Sequence, residues 1–259
     1  MTDYPETAAR FARDTAQHQM TVLHDDGLYR HLKFMNPGHG SIGSFELITW
    51  PYNLVVKAGW VFAFDIDATP DMFELFRRTA LKGQINPGYW QEKVRAGRDE
   101  VVDYNPELLK ANVEDYVKGW VEDAADDDFE QKLRAAVHGH FFSDTADYNV
   151  EFEAEALRAL SDFDFDTHYK ATCICGMEKR CEYDHDARLW RISHLRTFDC
   201  KHPKGDDPVA IKSVEGYRFH EFYEWQMKSF TPGFIHSCYA IRHGIDVWDA
   251  ARAPQAAAS

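Results

Sequence analysis

Residues 28–66 contain four short segments with the composition of β-strands, and this run limits the fold more than any other feature of the chain. The segments are LYRHLKFMN (28–36), SFELITW (44–50), NLVVKAG (53–59) and WVFAFDI (60–66), which are rich in aromatic and β-branched residues. The connections between them are too short for a crossover helix, so neighbouring strands run antiparallel. The sequence therefore predicts an N-terminal antiparallel β-meander.

Helical patterns flank this meander. Residues 5–18 carry small and aromatic side chains at helical spacing. After the meander, Thr69 is predicted to cap a helix, with Pro70 at the first helical position and Asp71 at its positive end. The side chains that this helix is expected to bury are Met72, Phe73, Leu75 and Phe76.

The middle of the chain is predicted to be helical. Asn105 and Pro106 form a cap and first-turn pair, and large side chains recur after them at helical spacing. We interpret Asp126 to Asp128 as an acidic loop before a second helix, and 150–161 as a third helix. The recurring positions of the first two helices are Leu109, Val113, Tyr116, Val117, Trp120, Phe129, Leu133, Ala136, Val137, His140 and Phe141.

Strand patterns return at 168–175, 181–185 and 188–198 and predict a second small antiparallel sheet. A C-terminal helix is predicted to begin near Pro232. Its apolar face consists of Ile235, Cys238, Ile241, Ile245 and Trp248. We therefore expect a single α+β domain over residues 1–259, with sub-lobes at 1–100 and 101–259 if the chain divides.

The charge of the chain restricts its partners. The net charge is −14 at pH 7 and the pI is about 5.3. A surface this acidic repels phosphates, so we expect no direct binding to nucleic acid. The same charge attracts a basic partner, such as a protein that itself binds nucleic acid.

The N-terminus and the cysteines predict a cytoplasmic protein. The opening MTDYPETAARFARD lacks the basic and apolar regions of a signal peptide. No apolar run approaches the roughly 20 residues that span a bilayer, so no membrane partner is expected. The chain has 5 cysteines, an odd count, and reduced thiols are the expected state in a cytosol.

Residues 38–43 read Gly-His-Gly-Ser-Ile-Gly, which has the letters of a dinucleotide-binding loop. Such a loop works because it ends a strand and opens a helix whose N–H groups bind the phosphates. Here a strand-like segment follows the last glycine, so we predict a turn between two antiparallel strands. On this interpretation the glycines are not a nucleotide site.

Asp65 and Asp67 follow an apolar strand in WVFAFDIDATPD. Their spacing resembles the first motif of haloacid-dehalogenase-type phosphotransferases, in which one aspartate is the nucleophile, the second a general acid or base, and Mg²⁺ offsets the charges. The later lysine and acidic pair of that family have no clear equivalent in this chain. The competing interpretation is that both aspartates help to cap the helix near Thr69.

Residues 168–202 are rich in cysteine and histidine. The candidate zinc ligands among them are Cys173, Cys175, Cys181 and His194. Strand pairing supplies another interpretation, because a hairpin could pair Tyr183 with Trp190, and a second could pair Cys175 with Cys181. The cysteines would then share an apolar face and pack as small apolar residues, and we favour this core interpretation.

Five stretches of the chain resemble a family of uncharacterised proteins encoded by bacteriophages and prophages. They are MTVLHDDGLYRHLKF (20–34), FELITWP (45–51), PDMFELFR (70–77), INPGYWQEK (85–93) and CYAIRHGIDVWDAAR (238–252). The resemblance covers much of residues 14–95 and the last helix, and it leaves 100–230 unmatched. It implies a viral accessory protein that acts in the cytosol of a bacterial host, and it brings no catalytic residues.

Two classes of function follow. The first is a non-catalytic protein that binds and modulates a host factor, for example as an inhibitor of a defence system. The second is a metal-dependent hydrolase or phosphotransferase, which would use magnesium at Asp65 and Asp67 or zinc at the cysteines. We favour the binding protein, for which no cofactor is expected.

Overall fold

A computed structural model places the chain in two compact units. The first unit combines residues 1–103 with 228–259, and the second comprises 104–227. The residues that the structure describes are 4–41, 43–124, 127–166, 168–172, 178–181, 183–184, 189–190, 210–214 and 216–253. The first boundary is close to the predicted sub-lobe boundary at residue 100, but residues 228–259 belong with the first unit. The single domain remains a prediction.

A six-stranded antiparallel sheet forms the framework of the first unit, in the order β1-β2-β3-β4-β5-β6. Its strands are β1 (Gln19–Asp26), β2 (Tyr29–Met35), β3 (Phe45–Trp50), β4 (Asn53–Lys57), β5 (Val61–Asp65) and β6 (Val94–Ala96). The predicted meander is confirmed in β2 to β5. The sequence missed β1, because nearly all of its residues are exposed and it therefore lacks the alternation of a half-buried strand.

Helices cover one face of this sheet. The helices of the first unit are α1 (Pro5–Thr15), α2 (Met72–Thr79), α3 (Pro87–Trp90) and, at the end of the chain, α7 (Pro232–Arg252). The sheet contributes to the core the buried side chains of Leu32, Phe34, Phe45, Leu47, Leu54, Val56, Phe62 and Phe64. The side chains predicted to be buried in α2 and α7 are all buried, so both predicted apolar faces are confirmed.

Helix α2 begins later than predicted. Its N-cap is Asp71, whose carboxylate accepts a hydrogen bond from the Phe73 N–H at 2.9 Å. The prediction that Thr69 caps this helix was therefore wrong, and Asp65 and Asp67 do not cap it. Asp71 is a better cap than Thr69 because Arg30 binds the Asp71 carboxylate. This ion pair holds the carboxylate at the positive end of the helix.

The second unit contains three long helices, α4 (Pro106–Ala124), α5 (Asp127–Phe141) and α6 (Glu153–Asp162). The cap at Asn105 is confirmed, because its side chain accepts a hydrogen bond from the Glu107 N–H at 3.0 Å. The predicted acidic loop was wrong for Asp127 and Asp128, and Asp126 lies outside the described residues. Asp127 and Asp128 lie in the first turn of α5, where negative charge stabilises the helix.

Short strands complete the chain. In the second unit, β8 (His168–Thr172) pairs with β9 (Glu178–Cys181) and with β12 (Ala210–Val214), and β10 (Tyr183–Asp184) pairs with β11 (Leu189–Trp190). Strands β7 (Val102–Tyr104) and β13 (Lys228–Phe230) also pair. The protein thus has the predicted α+β architecture, with an N-terminal antiparallel sheet, a helical middle, small antiparallel sheets and a C-terminal helix. Among the described residues, no helix combines the length and apolar character needed to span a bilayer.

Arg30 and Asp71 form a largely buried ion pair that joins the sheet to helix α2. Two guanidinium N–H groups of Arg30 donate to the Asp71 carboxylate at 2.8 and 3.1 Å, and the Arg30 side chain is 10% exposed. Burial alone would raise the pKa of Asp71, but the hydrogen bonds and charge of Arg30 and the Phe73 N–H together lower it. The guanidinium also lies 4.9 Å from the centroid of the Phe73 ring.

We expect Asp71→Asn to lower the free energy of unfolding by about 3 kcal/mol, because it leaves the Arg30 charge buried without its partner. The matched control is Asp246→Asn, which breaks a bidentate pair with Arg242 on the surface of α7 and should cost less than about 1 kcal/mol. Urea denaturation of both variants measures the difference. Because the Asp71 pKa is lowered in the folded state, its contribution is present above about pH 4 and is lost as the pH falls further. Equal losses in the two variants would contradict the prediction.

Candidate functional site

The glycine-rich residues 38–43 connect strands β2 and β3, which pair antiparallel. Gly40 and Gly43 have φ values of 61° and 67°, which glycine adopts without steric cost. Strand β3 begins at Phe45, so no helix follows the loop. The predicted turn is confirmed, and the loop lacks the helix N-terminus on which a dinucleotide site depends.

In the part of the chain that the structure describes, Asp65 and Asp67 have no third acidic or histidine residue placed with them as a metal ligand. Asp65 ends β5, and its Oδ2 lies 3.4 Å from Nε of Arg95, while Asp67 is exposed. Among the described residues, no group of three or more histidine, cysteine or acidic side chains is placed to hold a metal ion. Strand β5 lies between antiparallel neighbours, whereas a phosphotransferase of the resembled type needs a parallel sheet.

The cysteine-rich stretch is described only in part. Cys173, Cys175 and His194 lie outside the described residues, so their proposed roles stay predictions. Cys181 ends β9 and pairs with Tyr169 of β8, so the predicted pairing of Cys181 with Cys175 was wrong. The predicted loop was placed too late in the sequence, because β8 already pairs with β9 through Thr172 and Glu178. The pairing of Tyr183 with Trp190 is confirmed.

Cys238 is unsuited to act as a nucleophile. It lies on α7 with no exposed surface, and burial raises the pKa of its thiol well above the ordinary value. A reactive cysteine needs an exposed, electropositive setting that favours the thiolate. Cys238 is therefore a core residue of the first unit.

Three histidines gather around the ring of Phe11 and its aromatic neighbours. His236 and His243 lie on α7, with ring centroids 5.1 and 5.7 Å from that of Phe11, and His18 follows α1. Burial is the main cause that lowers the pKa of each histidine. Both ring nitrogens of His18 are buried, and neither has a hydrogen-bond partner among the described residues. The neutral form of each ring is therefore favoured near pH 7.

Nearby carboxylates and a guanidinium also shift the pKa values of these three histidines. Asp14 raises the pKa of His18 and of His236, and Asp246 raises that of His243, but in each case burial outweighs the carboxylate. Arg10 lowers the pKa of His236, and His243 lowers that of His18. Protonation of His243 thus opposes protonation of His18.

Among the described residues of the first unit, one face of the six-stranded sheet is not covered by the helices. We call it the open face. Its members alternate along β2 to β5 with the buried residues, and all are partly or fully exposed. They are Tyr29, His31, Lys33, Met35, Glu46, Ile48, Trp50, Asn53, Val55, Lys57, Val61, Ala63 and Asp65.

The strand register arranges the open face in rows. One row crosses the sheet as His31, Ile48, Val55 and Ala63 and forms an apolar stripe beyond the histidine. The next row alternates in charge as Lys33, Glu46 and Lys57 and ends at Val61. On the other side of the stripe, Trp50 pairs with Asn53, which pairs with Asp65. Apolar and polar groups therefore lie side by side, as they do in protein interfaces.

Large side chains of the open face are unusually exposed. Tyr29 is 53% exposed, Trp50 38% and Val61 55%. Tyr52, in the tight turn after Trp50, is 41% exposed and has a φ of 68°, which is uncommon for an aromatic residue. Tyrosine and tryptophan contribute most of the binding energy in many interfaces because they bury much area and retain a polar group.

The open face is close to neutral although the chain is strongly acidic. Lys33 and Lys57 offset Glu46 and Asp65, whereas the whole chain has a net charge of −14. His31 Nε2 lies 2.8 Å from Glu46 Oε2. This hydrogen bond, with smaller effects of the lysines, lowers the pKa of Glu46 despite partial burial. Glu46 pairs with Lys57 within this face, and Asp65 pairs with Arg95 of the neighbouring strand β6. Three of its four charged groups therefore have a partner, which reduces the cost of removing them from water.

Strand β1 forms a long edge of the same sheet. In the described part of the chain, β1 pairs only with β2, and the register shifts between Val22 and His24. Val22 and Leu23 at this bulge are 45% and 52% exposed. Bulges and acidic residues such as Asp25 and Asp26 hinder pairing with a further strand, so the edge is less suited to docking than the open face.

The sequence indicated the open face only in part. The alternation in LYRHLKFMN marks one polar and one apolar face of β2. It does not show which face the helices cover, and it did not identify Trp50 or Val61 as surface residues. Comparisons of the chain with protein-family models, with curated proteins and with solved structures find no match.

For the cysteines, we expect the purified protein to carry no stoichiometric zinc, because the core interpretation leaves the thiols without a metal. A chelator should then leave the melting temperature unchanged, since no metal-binding energy is coupled to folding. Metal analysis by mass spectrometry, followed by a thermal melt with and without chelator, provides the measurement. One zinc per chain, with a melting temperature that falls on chelation, would reject the core interpretation.

For the histidines, we expect the free energy of unfolding to fall as the pH drops below about 6.5. The unfolded chain takes up protons there that the partly buried rings of His18, His236 and His243 resist, so acid favours unfolding. His18→Gln should reduce the slope of stability against pH between pH 7 and 5, and the exposed His39→Gln should not. Urea titrations at several pH values measure the slopes, and identical slopes in both variants would refute the prediction.

Proposed function

We propose that this protein is a bacteriophage-encoded accessory protein that binds and modulates a factor of its bacterial host. In this proposal the open face makes the contact, and the protein catalyses no reaction. The resemblance of five stretches to phage and prophage proteins supports the viral origin. The open face supports binding, and it is the observation on which the proposal depends.

The composition of the open face is that of an interface centre. Tyr29, Trp50 and Val61 expose large areas next to the stripe of Ile48 and Val55. Interface centres are enriched in aromatic side chains and depleted in uncompensated charge, and both conditions hold here. Burying such side chains under a partner releases water from apolar surface, which favours association.

Electrostatic interactions affect binding both at long range and at the contact surface. At long range, the net charge of −14 attracts a basic protein and repels nucleic acid. At contact, the near-neutral open face buries little net charge when it is covered. A basic host protein that itself binds nucleic acid meets both conditions, and a component of an antiviral defence system is one such protein. The encounter would take place in the host cytosol.

The alternative, a metal-dependent hydrolase or phosphotransferase, has less support. Asp65 lies beside Arg95, which competes with a metal ion for the carboxylate. The sheet around Asp65 is antiparallel, and the later motifs of the phosphotransferases have no clear equivalent in the sequence. Zinc at the cysteines stays a separate prediction.

The test combines capture from a bacterial lysate with variants of the open face. The full chain is immobilised, captured proteins are identified by mass spectrometry, and the affinity of the purified partner is then measured. We expect Tyr29→Ser with Trp50→Ser to weaken that affinity by at least about tenfold, because such anchors are each worth about 2 kcal/mol. The matched control is Tyr223→Ser, an aromatic residue that is 77% exposed outside the sheet.

Two results would contradict this proposal. One is a partner whose affinity is unaffected by the open-face variants but falls with Tyr223→Ser, which would place the contact in the second unit. The other is magnesium-dependent hydrolysis of a phosphate ester that Asp65→Asn abolishes while the melting temperature is unchanged. That result would favour the enzyme.

A further inference from the structure

A cleft of about 590 Å³ opens in the first unit, between the start of α1, the loop at residues 81–88 and the end of β13 with α7. Its volume falls in the range of roughly 300–1,000 Å³ that is typical of sites for small molecules. None of its lining residues belongs to the open face, and none is one of the three histidines described above. An inference about this cleft therefore does not depend on the proposed function.

Aromatic rings form much of the wall of the cleft. Tyr4, Phe230 and Tyr239 line it, together with Ile85 and the prolines of the neighbouring segments. The rings of Tyr4 and Phe230 meet edge to face with centroids 6.4 Å apart, and Tyr239 stacks on Phe11 at 6.0 Å. Because these rings are held by other rings, the wall is formed before any ligand arrives. Such a wall suits a flat, aromatic ligand.

Lys82 is the only charged residue among those that line the cleft. It takes part in none of the ion pairs formed among the described residues. No carboxylate lines the cleft, although the chain contains 43 acidic residues. The charge at this position therefore complements a negative charge on the ligand.

The backbone of Lys82 is strained. Its φ of 48° and ψ of 36° lie in the left-handed region, which a lysine rarely adopts. Glycine or asparagine would occupy this position more easily. Strain of this kind persists where the surrounding structure enforces it and often marks a binding site.

The loop also places two uncharged polar side chains, Gln84 and Asn86, at the cleft. Asn86 caps α3 by accepting a hydrogen bond from the Tyr89 N–H at 3.3 Å, and its amide donates to the Thr79 carbonyl at 2.8 Å. Asn86 therefore holds the loop in place, and Lys82 is the charged lining residue that can select the charge of a ligand. Gly88 leaves open space beside the loop, because a Cβ built there meets no atom within 4 Å.

From the volume, the aromatic wall and the single cation, we propose that this cleft binds a small aromatic monoanion. The rings of Tyr4, Phe230 and Tyr239 receive the aromatic body, and the ammonium group of Lys82 pairs with the carboxylate or sulfonate. No covalent step is involved.

Fluorescence titration of the full chain with anilinonaphthalene sulfonate tests this assignment. The matched probe is phenylnaphthylamine, which has the same rings without the sulfonate. We expect the sulfonate to bind at one site per chain and more tightly than phenylnaphthylamine. Lys82→Gly should weaken sulfonate binding about fivefold, as expected for a partly exposed charge pair, and leave phenylnaphthylamine unaffected.

Three further variants make the test specific. Ala8→Phe, at a lining position, should abolish binding of both probes because the new ring occupies the cleft. Lys110→Gln removes an exposed lysine of α4 and should change nothing. Trp50→Ser removes an aromatic group of the open face and should also change nothing. If Ala8→Phe fails to fold, Lys82→Gly still decides, because glycine relieves the strain and should not lower the melting temperature.

The proposal is overturned if Lys82→Gly leaves sulfonate binding unchanged, or if Lys110→Gln weakens it equally. It is also overturned if Trp50→Ser removes the binding, because the probe would then occupy the open face. Success here with failure of the host-factor experiment, or the reverse, separates the two proposals.

Discussion

The first unit depends on the packing of helix α7 against the six-stranded sheet. The helix buries Phe234, Ile241 and Ile245 against strands that lie more than 140 residues earlier in the sequence. The approach is close at Gly244, where an added Cβ would lie 2.5 Å from Leu47. Residues 228–259 therefore return to the first unit because their apolar face finds its partner there.

Within the described part of the first unit, helices cover one side of the sheet and leave side chains on the other side partly or fully exposed. Because strand side chains alternate, each residue buried under α7 or α2 has a neighbour on the open face. The exposed aromatic groups of Tyr29 and Trp50 are thus presented on a rigid scaffold rather than on mobile loops. A rigid surface loses little entropy on binding, which favours its use as an interface. The core and the proposed interface are two consequences of the same alternation.

The same packing explains the buried polar groups near the helices. Arg30 points toward the helices with the core residues of β2, and its charge is tolerated there because Asp71 accepts two of its hydrogen bonds. His18 has no such partner among the described residues, so burial favours its neutral form. The free energy of unfolding therefore depends on pH, because folding lowers the pKa values of Asp71 and His18.

The sequence alone determined the elements that carry a strong local pattern. Alternation marked β2 to β5, the Asn105–Pro106 pair marked the start of α4, and the apolar face of α7 was read correctly. It could not reveal β1, which is exposed nearly throughout, or choose Asp71 over Thr69 as a cap, because that choice depends on Arg30, 41 residues away. The predicted pairing partner of Cys181 was wrong because the position of the loop determines which residues of a hairpin pair, and the sequence did not show that position.

The candidate sites show the same division. The sequence supplied the residue types, and it drew attention to glycines, aspartates and cysteines whose motifs need a particular fold around them. Only the tertiary structure showed that Asp65 lies in an antiparallel sheet, that one sheet face stays open, and that Lys82 lines a cleft with rings from both ends of the chain. The physical reason is that local patterns follow from neighbours along the chain, whereas surfaces and clefts are formed by residues that meet only after folding.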